Sequence, residues 1–216
     1  KRFWLLVALD RDPVLFVDGV HEANTGKTTW IDDVRIWGTG GITNVNLFAD
    51  AVRDLCPSQP TIGTELGPES GIRMTFDEFE DIRHALSDTT FFDADELFGR
   101  ARMVKSQPEI DRIRRACEIT EVGYEAGFKA ARAGSTEREL VNIMVGEWLR
   151  LGADTPYNSN NRGYISLQAG RIDQMSPTPV DRPIEPGDLI RVDGGAVYRG
   201  YGADIYGSFL YPNKPS

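Results

Sequence analysis

The fold is decided by the stretch Asp188-Leu-Ile-Arg-Val-Asp193-Gly-Gly-Ala-Val-Tyr-Arg-Gly-Tyr-Gly-Ala-Asp204-Ile-Tyr206. Leu189 to Val192 and Ile205 to Tyr211 read as strands, and the glycine-rich middle reads as a hairpin turn. Centring that turn on Tyr198-Arg199 sets Val197 against Gly200, and the same register sets Asp193 against Asp204. Directly opposed strand residues hold their β-carbons about 5 Å apart. Two carboxylates that close repel each other when both are ionised. Water, a shared proton or a cation can relieve the repulsion. Flanking Val192 and Ile205 point to partial burial, which makes water the weakest of the three. A divalent ion compensates the charge most completely, and bridging carboxylates suit Mn²⁺, Mg²⁺, Co²⁺ or Zn²⁺. Spacing alone fits two surface acids beside a turn equally well.

Upstream of the hairpin the pattern is helical. Ser106 with Glu109 forms a capping box, with Pro108 tolerated in the first turn. Ile110, Ile113, Cys117, Thr120, Tyr124 and Phe128 recur at helical spacing until Gly134. Thr136 with Glu139 caps a second helix whose inner face is Leu140, Ile143, Met144 and Trp148, closed by Gly152. Two long helices followed by strands predict an α+β domain over residues 105–216.

Residues 1–104 read as a small α/β domain. Phe3 to Leu9 and Val14 to Val17 form a hairpin around Asp10 to Pro13, and Trp30 to Trp37 alternates like a half-buried strand. Gly38-Thr39-Gly40-Gly41 lacks the Lys and full glycine pattern of a phosphate loop and reads as a strand-to-helix turn. A helix follows through Val45, Phe48, Val52 and Leu55, then a short strand from Thr61 to Leu66. Thr75 and Glu78 cap a helix with an apolar stripe of Phe76, Phe79, Ile82 and Leu86. His84 falls on its polar side, as a solvated histidine would.

With 216 residues, 40% hydrophobic and 10% aromatic, the chain can bury a sizeable core. Its net charge of −9 argues against nucleic acid or an anionic membrane as a partner. Cys56 and Cys117 fall in helical apolar patterns and read as buried, reduced thiols. No apolar run is long enough to span a bilayer and no signal-peptide pattern opens the sequence, so a cytoplasmic location is expected. Both ends read as interrupted strands.

The hairpin resembles the metal-binding hairpin of the pita-bread family, which comprises methionine aminopeptidase, aminopeptidase P, prolidase and creatinase. The matching residues are Gly187-Asp188, Leu189 to Val192, Asp193-Gly194-Gly195, Gly200-Tyr201 and Asp204-Ile205. Arg102, Lys105-Ser106, Glu109-Ile110, Ile113-Arg114, Ala116, Gly134 and Glu137 to Leu140 resemble the entry helices of the prolidase and creatinase branch. The resemblance implies an α/β N-terminal creatinase-like domain (a mixed sheet with flanking helices) followed by part of an α+β pita-bread catalytic domain. It implies that the chain lacks the start of the first domain and the end of the second.

The family's first two acidic ligands carry over to Asp193 and Asp204, which would help hold two divalent ions (Mn, Co or Zn). The other ligands, one His and two Glu, lie further downstream in the family, so the chain alone is expected to be inactive. The implied activity is that of an Xaa-Pro dipeptidase or aminopeptidase, a metal-dependent hydrolase cleaving small peptides or amides with activated water, in a homodimer. Ser176 stands where many members carry a substrate-handling His, and Tyr206-Gly207 stands where Thr-Arg is usual. Ser176 and Tyr157 are candidate substrate-binding residues, with Asn158 and Arg162 in the same approach segment. The loss of the His keeps open a creatinase-like enzyme for a small amidino or organic substrate; a non-catalytic binding module that keeps the fold is a further alternative, against which the presence of both Asp residues counts.

Overall fold

A computed structural model of the chain describes residues 3–39, 42–56, 58–67, 71, 74–154, 164–170 and 178–211. It divides into two compact units, Lys1–Val104 and Lys105–Ser216.

In the first unit, β1 (Phe3–Leu6) and β2 (Val14–Asp18) form an antiparallel hairpin. A 3-10 turn and α1 (Glu22–Thr28) lead into β3 (Asp33–Thr39), which lies parallel to β2. The strand thus starts three residues later than alternation predicts, and Trp30 is 81% exposed. Nor does the glycine run lead directly into a helix. The short β4 (Ile42–Thr43) turns back on β3, pairing Gly38 with Thr43 and Thr39 with Ile42. Only then does Asn44 accept from the Leu47 amide to cap α2 (Val45–Leu55).

The parallel pair β5 (Thr61–Thr64) and β6 (Thr90–Asp93) is joined through α3 (Phe76–Ala85), and α4 (Asp95–Met103) closes the unit. Thr75 and Glu78 make the expected reciprocal cap on α3. Its buried face is Ile82 with the following Leu86; Phe76, in the first turn, is 76% exposed and falls outside the stripe. Two apolar clusters, around Phe16 and Trp37 and around Val52 and Ile82, share Trp4, Leu6 and Phe48 as partly buried neighbours.

In the second unit, α5 (Gln107–Ala130) and α6 (Glu137–Arg150) pack on one face of a three-stranded antiparallel sheet. Its strands are β7 (Tyr164–Ala169), β8 (Leu189–Gly195) and β11 (Ile205–Leu210), with β8 in the centre. The minimal pair β9 (Val197–Tyr198) and β10 (Tyr201–Gly202) forms the tip of the hairpin. The core gathers Ile119, Tyr124, Leu140, Met144, Trp148, Leu167, Ile184, Ile190 and Val192.

The line of contact between the two helices differs from the large-residue stripe expected of α5. Its buried positions are Ala116, Ile119, Thr120, Gly123, Tyr124 and Gly127. A β-carbon at Gly123 would overlap the Trp148 indole, and one at Gly127 would overlap the Met144 side chain. Missing side chains on α5 thus admit large ones from α6. Cys117 sits off this line and is half-buried, while Cys56 is exposed at the end of α2. Both are free thiols, but the burial expected of them is corrected. No helix among the described residues is long and apolar enough to cross a membrane.

Candidate metal centre

The hairpin turn lies on Arg199-Gly200, one residue beyond the predicted centre. Arg199 (φ 51°) and Gly200 (φ 84°) both occupy the left-handed region, the conformation a two-residue type I′ turn demands. Tyr198 therefore pairs with Tyr201 and Val197 with Gly202. The same register continues down the ladder, pairing Gly194 with Ile205 and Asp193 with Tyr206. The expected Asp193–Asp204 pair is corrected accordingly. Moving the turn by one residue shifts the pairing by two, and Asp204 comes to lie level with Gly195.

A two-residue shift preserves the face on which each side chain falls. Ile190, Val192 and Gly194 are buried on the helix-covered face of β8, opposite Phe209, Gly207 and Ile205 of β11. Arg191 and Asp193 alternate with them and fall on the other face, with Ser208 and Tyr206 as their β11 partners. The Ala203 amide bonds to the Ala196 carbonyl at 3.0 Å, which carries the register through the irregular stretch before β11. Asp204 then shares the face of Tyr206. Asp193 and Asp204 are diagonal neighbours, for which general sheet geometry gives a Cα separation of about 7–8 Å.

Their burial also differs from expectation. Val192 and Ile205 turn to the opposite face by strand alternation, leaving Asp193 half-buried and Asp204 exposed. Water reaches at least one of the two. Among the described residues, neither carboxylate receives a hydrogen bond or an ion pair.

Several side chains fix this hairpin. The buried Tyr124 hydroxyl lies 2.9 Å from both the Gly194 and Ile205 carbonyl oxygens, immediately beside the two aspartates in sequence. Thr120 Oγ1 donates to the Ala116 carbonyl (2.8 Å) and accepts the Ala196 amide (2.9 Å). At the tip, the Asp154 carboxylate accepts from the Gly200 amide while its own amide donates to Val197, both at 2.7 Å. Gly195 is required by contact, because a β-carbon there would run into the Ala203 backbone. At the other end of β8, Asp188 is 12% exposed, pairs with Arg182 at 3.0 Å and accepts from the Glu185 amide. That carboxylate is thereby committed to structure. Sequence periodicity marked Thr120 and Tyr124 only as core positions; their polar reach to the hairpin had no local signal.

The donor set fits hard or borderline divalent ions: two carboxylates on one face of the hairpin, without competing partners among the described residues. It fits as part of a site. Among the described residues no group of three or more His, Cys, Asp or Glu could hold a metal. His84 is exposed on α3 in the first unit. Ser176 and Tyr157, with Asn158 and Arg162, lie outside the described residues.

Residues 1–104 match the family model of the creatinase/prolidase N-terminal domain, and residues 111–216 match that of metallopeptidase family M24. An Xaa-Pro dipeptidase of Pyrococcus horikoshii is 30% identical over 142 residues, covering 65% of this chain and 38% of that protein. An X-Pro aminopeptidase structure from Thermotoga maritima is similar with a TM-score of 0.75 at 25% identity, over 97% of this chain and 56% of the other. The prolidase structure from Pyrococcus horikoshii shares the fold with a TM-score of 0.76 at 22% identity, over 99% and 55% of the two chains. The chain thus spans 38% of that curated relative and little more than half of the solved structures.

Proposed function

We propose, from the premise that this chain belongs to the creatinase/prolidase/aminopeptidase P family, that the intact protein is a metal-dependent hydrolase of Xaa-Pro peptides. The first unit is its α/β creatinase-like domain, and the second is part of an α+β pita-bread catalytic domain. The observation that carries the reading is the placement of Asp193 and Asp204 on one face of the β8–β11 hairpin, both without protein partners among the described residues.

Divalent ions bound there would supply Lewis acidity toward the scissile carbonyl and lower the pKa of a bound water. Asp193 and Asp204 would hold them, the remaining donors coming from outside the described residues. Tyr124 keeps the two strands in register at the level of the carboxylates by engaging a carbonyl from each. Thr120 ties the hairpin to α5 one step nearer the tip, accepting the Ala196 amide while donating to the Ala116 carbonyl. Neither touches substrate; both are positioning residues. Ser176 supplies an imidazole's hydrogen bond poorly, so catalysis with Ser in that place leans on the metal-held water and its carboxylate ligands.

Metal analysis of the intact protein, with a substrate panel of Xaa-Pro dipeptides and creatine, tests the proposal. Retention of Mn, Co or Zn that is lost in Asp193→Ala, together with dipeptide hydrolysis, is expected. Metal content unchanged by Asp193→Ala would defeat the site, and turnover of creatine alone would move the protein to the amidino-substrate branch.

A further inference from the structure

Asp204 is exposed and has no partner among the described residues, so its place is set by the residues on either side of it. One residue on, the Ile205 carbonyl accepts from the Tyr124 hydroxyl. Three residues back, Tyr201 reaches from the hairpin tip to the start of α5. Its hydroxyl donates to Glu109 Oε1 at 3.0 Å, and the Arg112 guanidinium carbon lies 5.3 Å from the centre of its ring. Positions three apart on a helix are surface neighbours, so Glu109 and Arg112 hold the tip and the face of one ring together.

The Glu109 carboxylate is shared between two tasks. Its Oε2 accepts from the Ser106 amide and the Ser106 hydroxyl, both at 2.7 Å, which caps α5, and its Oε1 is left to take Tyr201. In the corresponding box on α6, the Glu139 carboxylate bonds, among the described residues, only to the Thr136 amide. A cap thus needs one oxygen, and α5 uses the second to hold the hairpin. Three donors fix the carboxylate in place, and a hydrogen bond to an ionised acceptor is stronger than one between neutral groups. Spacing in the sequence marks Glu109 as a cap and Tyr201 as part of a turn; the bond between them joins residues 92 positions apart and has no local signal.

We propose that Tyr201, gripped by Glu109 and Arg112, is a positioning residue for Asp204 and couples metal binding on the hairpin to the first turn of α5. Three residues span at most about 11 Å, so an ion that fixes Asp204 also restrains Tyr201. That restraint passes to Glu109 and from its other oxygen to Ser106. Coupling of this kind is reciprocal: an ion that steadies the first turn is held less tightly once the turn is loosened. The coupling rests on the metal site proposed above, whereas the link between Tyr201 and Glu109 is measurable without metal.

The test uses the intact protein as wild type, Tyr201→Phe, Ser106→Ala and the double variant. Equilibrium dialysis gives the Mn²⁺ dissociation constant, and mass spectrometry follows amide exchange over residues 106–112 with and without Mn²⁺. Tyr201→Phe should weaken Mn²⁺ binding about fivefold or more, and Ser106→Ala about threefold. The double variant should bind as Tyr201→Phe does, because the link is already cut. Mn²⁺ should slow exchange over 106–112 in wild type and leave it unchanged in Tyr201→Phe. Tyr198→Phe, in the same strand pair but with no described partner for its hydroxyl, serves as the control and should bind as wild type. A Tyr201→Phe constant no different from that of Tyr198→Phe, or a Ser106→Ala effect undiminished beside Tyr201→Phe, would overturn the coupling while the metal site stands. If wild type binds no Mn²⁺, the metal reading and the coupling fail together. Metal-free exchange over 106–112 then decides the link alone: about threefold faster in Tyr201→Phe sustains it, and no change overturns it. Glu109→Gln, which keeps the length of the side chain, carries the same criteria should Tyr201→Phe not fold.

Discussion

Replacing Gly123 by alanine tests the packing that supports the hairpin, because two opposing effects meet at one methyl group. In an exposed helix interior the change would stabilise the protein by about 0.8–1 kcal/mol. At Gly123 the added carbon overlaps the Trp148 indole and lies 2.9 Å from the Met144 carbonyl oxygen. Overpacking of this kind costs about 1–3 kcal/mol. Moving the indole also disturbs its 3.3 Å hydrogen bond to the Thr120 carbonyl, and an orphaned buried donor costs about 1–3 kcal/mol more. The sum is a net destabilisation of about 1–5 kcal/mol. Gly146, exposed in α6 with no atom near its prospective β-carbon, supplies the control, and Gly146→Ala should gain the propensity term unopposed. Urea unfolding followed by circular dichroism reads both. With an m-value of about 2–3 kcal/mol/M, a 2 kcal/mol loss lowers the midpoint by about 0.7–1 M. Because Thr120 also holds the Ala196 amide, Gly123→Ala should weaken metal retention in the intact protein as well. A Gly123→Ala variant as stable as Gly146→Ala would refute the close approach of the two helices.

Four further outcomes follow from the same contacts. Tyr124→Phe strips a buried hydroxyl from two carbonyl oxygens and should cost about 1–3 kcal/mol in urea unfolding, whereas Tyr206→Phe, 58% exposed, should cost less than about 0.5. Arg199→Asn places a residue that tolerates φ > 0 in the turn and should stabilise by about 0.5–1 kcal/mol, read as a raised unfolding midpoint. Glu109 is held below its ordinary pKa by hydrogen bonds from the Ser106 hydroxyl and amide and from the Tyr201 phenol. A lowered folded-state pKa means its contribution is complete above the unfolded value and is lost as pH falls through the folded one; carboxyl NMR should show Ser106→Ala moving that pKa upward. Asp204→Asn should reduce divalent-metal affinity at least tenfold by equilibrium dialysis while leaving the unfolding midpoint of the metal-free protein nearly unchanged, since Asp204 is exposed and has no described partner.

What could be read in the sequence depended on how far apart the interacting residues lie. The Thr75–Glu78 and Thr136–Glu139 caps are contained within four residues, and both form as their spacing implies. The contact between α5 and α6 is not local. A search for large apolar residues every three or four positions passes over Gly123 and Gly127, whose value lies in what they leave open for Trp148 and Met144. Strand β7 carries a period-two signal, Ile165 and Leu167 against Ser166 and Gln168, over six residues only, too few to stand out from the surrounding polar sequence.

The hairpin is the instructive intermediate case. Its turn could not be located from composition because Arg199, a residue without a turn preference, takes up a left-handed conformation. Misplacing the turn by one residue altered every cross-strand pair, yet an even shift cannot move a side chain through the sheet. Asp193 and Asp204 therefore share a face of the sheet without facing each other. A divalent-ion site needs that and little more from a hairpin, because two carboxylates on adjacent strands can hold separate or shared ions from diagonal positions. The stagger leaves side-chain parity unchanged, and a site shared by two carboxylates depends on parity, which the sequence encodes as alternation. Turn conformation, which the sequence barely encodes, sets only how the pair is staggered.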